Sequence, residues 1–110
     1  MPQQISTANP FVELLSASVV ASESSDYYNV ADCRLFSVAA FSAGSVSVSI
    51  QVSLEPAAPV HWAELTTVTG NAAGGVKQID GIFKWLRVVR DGTTTSVTVQ
   101  LLKGLRNVVQ

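Results

Sequence analysis

The stretch Ser45-Val46-Ser47-Val48-Ser49-Ile50-Gln51-Val52-Ser53-Leu54 alternates without a break: every even position is apolar and every odd one is Ser or Gln. Successive side chains of a strand point to opposite faces. A strand therefore sends Val46, Val48, Ile50, Val52 and Leu54 to one side and the polar set to the other, whereas a helix scatters both sets around its circumference. Such a half-buried strand needs neighbours in a sheet and an apolar layer beneath it. Val, Ser and Thr number 17, 13 and 8 of the 110 residues, and the β-branched Val and Thr are stiff at χ1 in a way that suits a pleated surface.

Other segments follow the same rule. Thr94 to Leu101 places Thr95, Val97, Val99 and Leu101 inward. It follows Asp91-Gly92, a pair that supplies the positive φ angles of a tight turn, so Phe83 to Arg90 is predicted to pair with it as a C-terminal hairpin. Likewise Asp32 to Phe41 is joined to the Ser45 strand by the short link Ser42-Ala43-Gly44, a second predicted hairpin. Pro56 and Pro59 mark a loop, Val60 to Val68 is a short run, Gly70 to Gly75 is a loop and Val76 to Ile79 adds a short strand. Phe11 to Val20 is apolar, although Phe11 to Leu15 suits one helical turn equally well. About seven strands with polar turns and no long helix predict an all-β fold, an antiparallel β-sandwich of jelly-roll-like form. The expected organisation is a flexible N-terminal arm over residues 1–10, one sandwich domain over 11–104 and a C-terminal tail over 105–110.

Composition removes several function classes. Lys plus Arg total 7 against 8 Asp plus Glu, a net charge of -1 with 14% charged residues, which gives no electrostatic footprint for nucleic acid or an anionic membrane. The N-terminal ten residues carry no Lys or Arg and no long apolar run, unlike a signal peptide, and no 18 apolar residues run together. The expectation is a soluble protein made in the cytoplasm. One cysteine, Cys33, excludes an intrachain disulfide and a Cys-only zinc site, and His61 is the single histidine. Cys33 with His61 as its base is the one nucleophile pair available, but a lone Cys is more commonly a small buried hydrophobe. Asp26, Asp32, Glu55, Asp80 and Asp91 border turns and are expected to be solvated. The Gly70 to Gly75 stretch lacks the Lys-Ser/Thr of a phosphate loop. No catalytic, metal-binding or cofactor-binding residue is expected, nor a small-molecule substrate, and the protein is expected not to be an enzyme.

Two features point instead to contacts. Trp62, Trp85, Tyr27 and Tyr28 are large amphipathic rings suited to interfaces or stacking. In Leu35 to Phe41, one face carries Leu35, Ala39 and Phe41 while the other carries Phe36, Val38 and Ala40; Phe83 to Arg90 is similarly apolar on both sides. One core covers one face of a sheet, so the second apolar face needs a partner. Tyr27, Tyr28, Leu86, Val88 and Arg87 are the candidate interface residues. Alternation puts Arg87 on the face of Trp85 and Val89, taken as the inward one, where a guanidinium must be hydrogen-bonded.

His61-Trp62-Ala63-Glu64-Leu65, followed by Ile82-Phe83-Lys84-Trp85-Leu86-Arg87-Val88 and the Thr/Val strand to Leu101, resembles the small β-sandwich virion proteins of tailed bacteriophages, of the capsid decoration or cement type. The resemblance spans residues 38–103 and departs at the Pro-rich loop 55–59, where related sequences often have a polar turn. It implies a non-enzymatic structural protein of the virion, on the capsid exterior as a decoration or cement protein or else in the tail, made in the host cytoplasm. Its partners are then itself, as a homo-oligomer such as a trimer, and the major capsid protein, and it stabilises contacts between capsid subunits. The alternative is a carbohydrate-binding module of a phage tail or receptor-binding assembly, with Trp62 or Tyr27 and Tyr28 as stacking platforms.

Overall fold

The alternating segments become eight strands in the computed structural model, which describes residues 11–104: β1 (Phe11–Ser18), β2 (Tyr28–Asn29), β3 (Leu35–Ser42), β4 (Val46–Ser53), β5 (Ala63–Gly70), β6 (Gly75–Asp80), β7 (Trp85–Arg90) and β8 (Val97–Lys103). The N-terminal arm and the C-terminal tail proposed from the sequence lie outside the described residues. The strands form two four-stranded antiparallel sheets, sheet I in the order β1-β8-β3-β6 and sheet II in the order β2-β7-β4-β5. The ladders β1·β8, β2·β7, β3·β6 and β4·β5 are successive rungs of one antiparallel ribbon folded over on itself. This is the strand order of a jelly roll. Seven strands were legible from the sequence; the two-residue β2 is too short to show a period.

Both predicted hairpins are corrected. β3 and β4 lie in different sheets, as do β7 and β8, so the links Ala43–Ser45 and Asp91–Ser96 are arches that carry the chain across the sandwich. Neither Asp91 nor Gly92 has the positive φ that the hairpin turn requires. Asp91 is instead a fastener: its Oδ2 accepts from the Ser47 N–H at 2.9 Å, its Oδ1 from the Thr93 N–H at 3.0 Å, and its own N–H donates to the Ser47 carbonyl at 2.9 Å. The true hairpin is β4–β5, closed by the Pro-marked loop. A last arch, between β5 and β6, depends on glycine. Gly74 has φ +92° and lies under the Phe41 ring, and a Cβ on Gly75 would stand 2.0 Å from the Thr69 carbonyl oxygen.

The core sits between the two inner faces. Sheet I contributes Phe36, Val38, Ala40, Val97, Val99 and Leu101, and sheet II contributes Val46, Val48, Ile50, Leu86 and Val88, all fully buried. Each such side chain is worth about 1.5–3 kcal/mol over its exposed state. Leu54 and Thr95, expected inward, are exposed, because β4 ends at Ser53 and β8 begins at Val97. Two cations share the interior. Arg90 follows Leu86 and Val88 on the inner face, with Nη1 donating to the Ser18 carbonyl and Nη2 to the Thr93 carbonyl at 2.6 Å. Lys103 closes one end of sheet I, 3.5 Å from Asp32.

Candidate functional site

On β7 the inward residues are Leu86, Val88 and Arg90, so the expectation that Trp85, Arg87 and Val89 face the core is overturned. Leu86 and Val88 are fully buried and Tyr28 is 6% exposed within the same core. None of the three presents a surface to a partner. Burial, helped by the charge of Asp26, pushes the Tyr28 phenol above its ordinary value. Tyr27 points the other way, as adjacent strand residues must.

Tyr27 and Arg87 belong to an aromatic corner on the outer face of sheet II. The Tyr27 ring meets Trp85 edge-on with centroids 5.2 Å apart, and meets Trp62 at 6.2 Å with the planes inclined by 57°. The Arg87 guanidinium lies over the Trp62 ring, 4.4 Å from its centroid, and its Nε donates to Gln51 Oε1 at 2.8 Å. Arg87 is thus half-buried and hydrogen-bonded, but outside the core; desolvation by the rings draws its pKa below the ordinary value. Lys84 Nζ lies 5.1 Å from the centroid of Trp85. On the second apolar face of β7, Trp85 is therefore covered by the chain's own Tyr27 and by the loop carrying Glu55.

The β4–β5 loop holds this corner in place. Trp85 Nε1 donates to the Glu55 carbonyl at 2.8 Å. The Glu55 carboxylate accepts from the Val60 and His61 N–H groups at 2.6 and 2.9 Å and meets His61 Nδ1 at 2.8 Å. These bonds lower its pKa to about 2, the His61 side chain contributing most. Glu55 is therefore a structural latch and not a merely solvated turn residue. Beyond the loop, Trp62 also lines an apolar groove of ≈ 530 Å³ with Val52, Leu54, Leu65 and Phe83.

Away from the corner, the outer face of sheet II is a floor of short polar side chains. Ser49 pairs with Thr67 and Ser47 with Thr69 in the β4·β5 register, and Gln51 lies between Glu64 and Arg87 on the neighbouring strands. Ser49 Oγ donates to Glu64 at 2.6 Å.

The outer face of sheet I has the opposite character. Phe11 is in register with Leu102, and Ala39 with Val76. Phe11, Leu102, Val76 and Phe41 are exposed by 46, 49, 64 and 40%. Four large apolar side chains on one sheet face are the kind of patch that marks a contact surface.

The structure does not bring Cys33 and His61 together: Cys33 is fully buried, with Sγ against the Leu35 carbonyl, while His61 is an exposed partner of Glu55. Among the described residues no group of three or more His, Cys, Asp and Glu could hold a metal ion. No helix of the described residues is long and apolar enough to cross a membrane. Sequence reasoning missed the Glu55 latch and the buried Arg90. The sign of the latter was present, since Arg90 shares the parity of Leu86 and Val88, but a charge at an apolar position invites the opposite assignment.

No family model matches the chain, and no curated protein matches it in sequence. Among solved structures it is similar to the SPBc2 prophage-derived protein YomS, with a TM-score of 0.66 and 11% identity over 84% of this chain and 89% of that one. At that identity the likeness is one of fold.

Proposed function

We propose that the protein is a non-enzymatic structural component of a bacteriophage particle, a capsid decoration or cement protein that self-associates and bridges neighbouring capsid subunits. The observation that carries this reading is the exposed apolar face of sheet I, formed by Phe11, Phe41, Val76 and Leu102. A jelly roll serves many functions, but one with an exposed apolar sheet face is suited to packing against another protein. The fold shared with a prophage-derived protein supports a phage setting. A stable contact buries about 800 Å² per partner; weaker contacts suffice when an oligomer, such as a trimer, engages several subunits at once and each attachment raises the effective concentration of the next.

Mass spectrometry of purified, intact particles tests the proposal. The expected result is the chain present in copy number comparable to the major capsid subunit. A handful of copies per particle would point to the tail, and absence of the chain would overturn the reading. A second reading, a carbohydrate-binding module of a tail or receptor-binding assembly, is favoured by the half-exposed Tyr27 and Trp62 beside Arg87.

A further inference from the structure

We infer that the outer face of sheet II is a binding site for a neutral polysaccharide, with one pyranose ring resting on the exposed side of the Tyr27–Trp62 pair while its hydroxyls meet Arg87, Gln51 and Glu64. The inference rests on the carbohydrate reading and is independent of the capsid one. A pyranose presents an apolar C–H face and a rim of hydroxyls, so its site needs a ring surface beside donors and acceptors. Tyr27 and Trp62 supply two half-exposed rings inclined at 57°. The guanidinium of Arg87 supplies donors, the carboxylate of Glu64 acceptors, and the amide of Gln51 both.

The corner is already ordered before any ligand arrives. Trp62 is backed by Arg87 at 4.4 Å, Arg87 is fixed by Gln51 at 2.8 Å, and Tyr27 rests edge-on against Trp85, whose indole N–H is bonded to the Glu55 carbonyl. Binding to such a surface loses little side-chain freedom. From the corner, Ser49, Thr67, Ser47 and Thr69 continue the same face as a hydroxyl-lined floor, with the half-buried Val89 in register with Ser49. Exposed Ser and Thr are common on strands. Ser37 and Thr98 stand on the outer face of sheet I as well, but there beside Leu102 and Phe41, whereas Ser47, Ser49, Thr67 and Thr69 face one another in register, and that is what marks this surface as separate. Charge bears on the ligand class: Arg87 faces Glu64 across Gln51, and His61 is engaged by Glu55, so Lys84 beside Trp85 is the one cation left over at the corner, too little to hold a uronic or sulfated polyanion.

Affinity electrophoresis of the full chain through gels containing dextran, hydroxyethyl cellulose or galactomannan, with a printed array of neutral glycans, tests this. The expected result is retardation or array binding by at least one neutral glycan and none by dextran sulfate. Trp62→Ala and Tyr27→Ala should each weaken binding at least tenfold, and Gln78→Ala on the exposed face of the opposite sheet should leave it unchanged. Urea unfolding of each variant shows that the fold is kept, and Gln51→Ala, which alters no ring, should still weaken binding if a ring variant unfolds. Retardation by dextran sulfate alone, or no binding to any neutral glycan, overturns the inference. Binding that survives in Trp62→Ala, Tyr27→Ala and Gln51→Ala overturns this site while leaving the carbohydrate reading intact.

Discussion

Arg90 shows how one side chain can hold several segments together. Its guanidinium, 2% exposed, reaches the carbonyl of Ser18 at the end of β1 and the carbonyl and hydroxyl of Thr93 in the arch to β8, with Asp91 3.8 Å away. Truncation leaves the buried Ser18 carbonyl unpaired and empties the space of a fully buried side chain, so Arg90→Ala should lower stability by about 3 kcal/mol. The measurement is the urea midpoint at unchanged slope. Arg90→Lys should recover only part of the loss, because an ammonium cannot fork onto two separate carbonyls, and a midpoint unaffected by either change would refute the clamp. Glu55 makes a pH-dependent contribution. Its folded-state pKa of about 2 lies below the ordinary 4.5, so its stabilising effect is complete above the ordinary carboxylate range and is lost as the pH falls toward 2. The stability difference between the wild type and Glu55→Gln should therefore be constant at neutral pH and shrink below about pH 4.5. A difference that persists unchanged to pH 2 would show that the latch does not depend on the charge of Glu55.

At the level of strands, alternation showed inward faces well and neighbours badly. Val46, Val48, Ile50 and Val52 of β4, and Val97, Val99 and Leu101 of β8, all face the core as their parity requires. The same parity is satisfied whether the next strand lies beside β4 in its own sheet or across the core from it, because both arrangements bury the same side chains. A short polar link closes a hairpin or an arch equally well, which is why both hairpin assignments failed. β7 was harder still: with apolar residues on both sides, its period could not say that Leu86 and Val88 face inward while Trp85 and Arg87 face the loop. The β5–β6 arch gives a direct test of the observed connection. A methyl group on Gly75 would collide with the Thr69 carbonyl oxygen, so Gly75→Ala should destabilise by about 2 kcal/mol. In a hairpin-connected sheet with an open turn at this position, the same change would be close to neutral, and thermal melting distinguishes the two.

On the scale of the whole molecule, the two outer faces carry different chemistry, and the proposed self-association is assigned to that of sheet I. Phe11→Ser with Leu102→Ser removes adjacent apolar side chains in register across β1 and β8 without touching the core. Native mass spectrometry should then show a shift from oligomer to monomer. Unfolding free energy per monomer should stay within about 0.5 kcal/mol, as for surface changes in general. An oligomer mass unchanged by the pair would move the self-contact to another surface. The sequence by itself determined the all-β class, most of the strands, most of the inward set on β4 and β8, and the presence of apolar residues on both faces of β3 and β7. These are local properties, fixed by a period of two and by composition. Tertiary structure alone decided that the strands are ordered β1-β8-β3-β6 and β2-β7-β4-β5, that Glu55 and His61 fold the loop back so that Trp62 covers Arg87, and that of the two adjacent tyrosines it is Tyr28 that enters the core. Each of those outcomes joins residues far apart in the chain, and the free energy that selects among them comes from packing two sheets face to face, a contact that no single segment encodes.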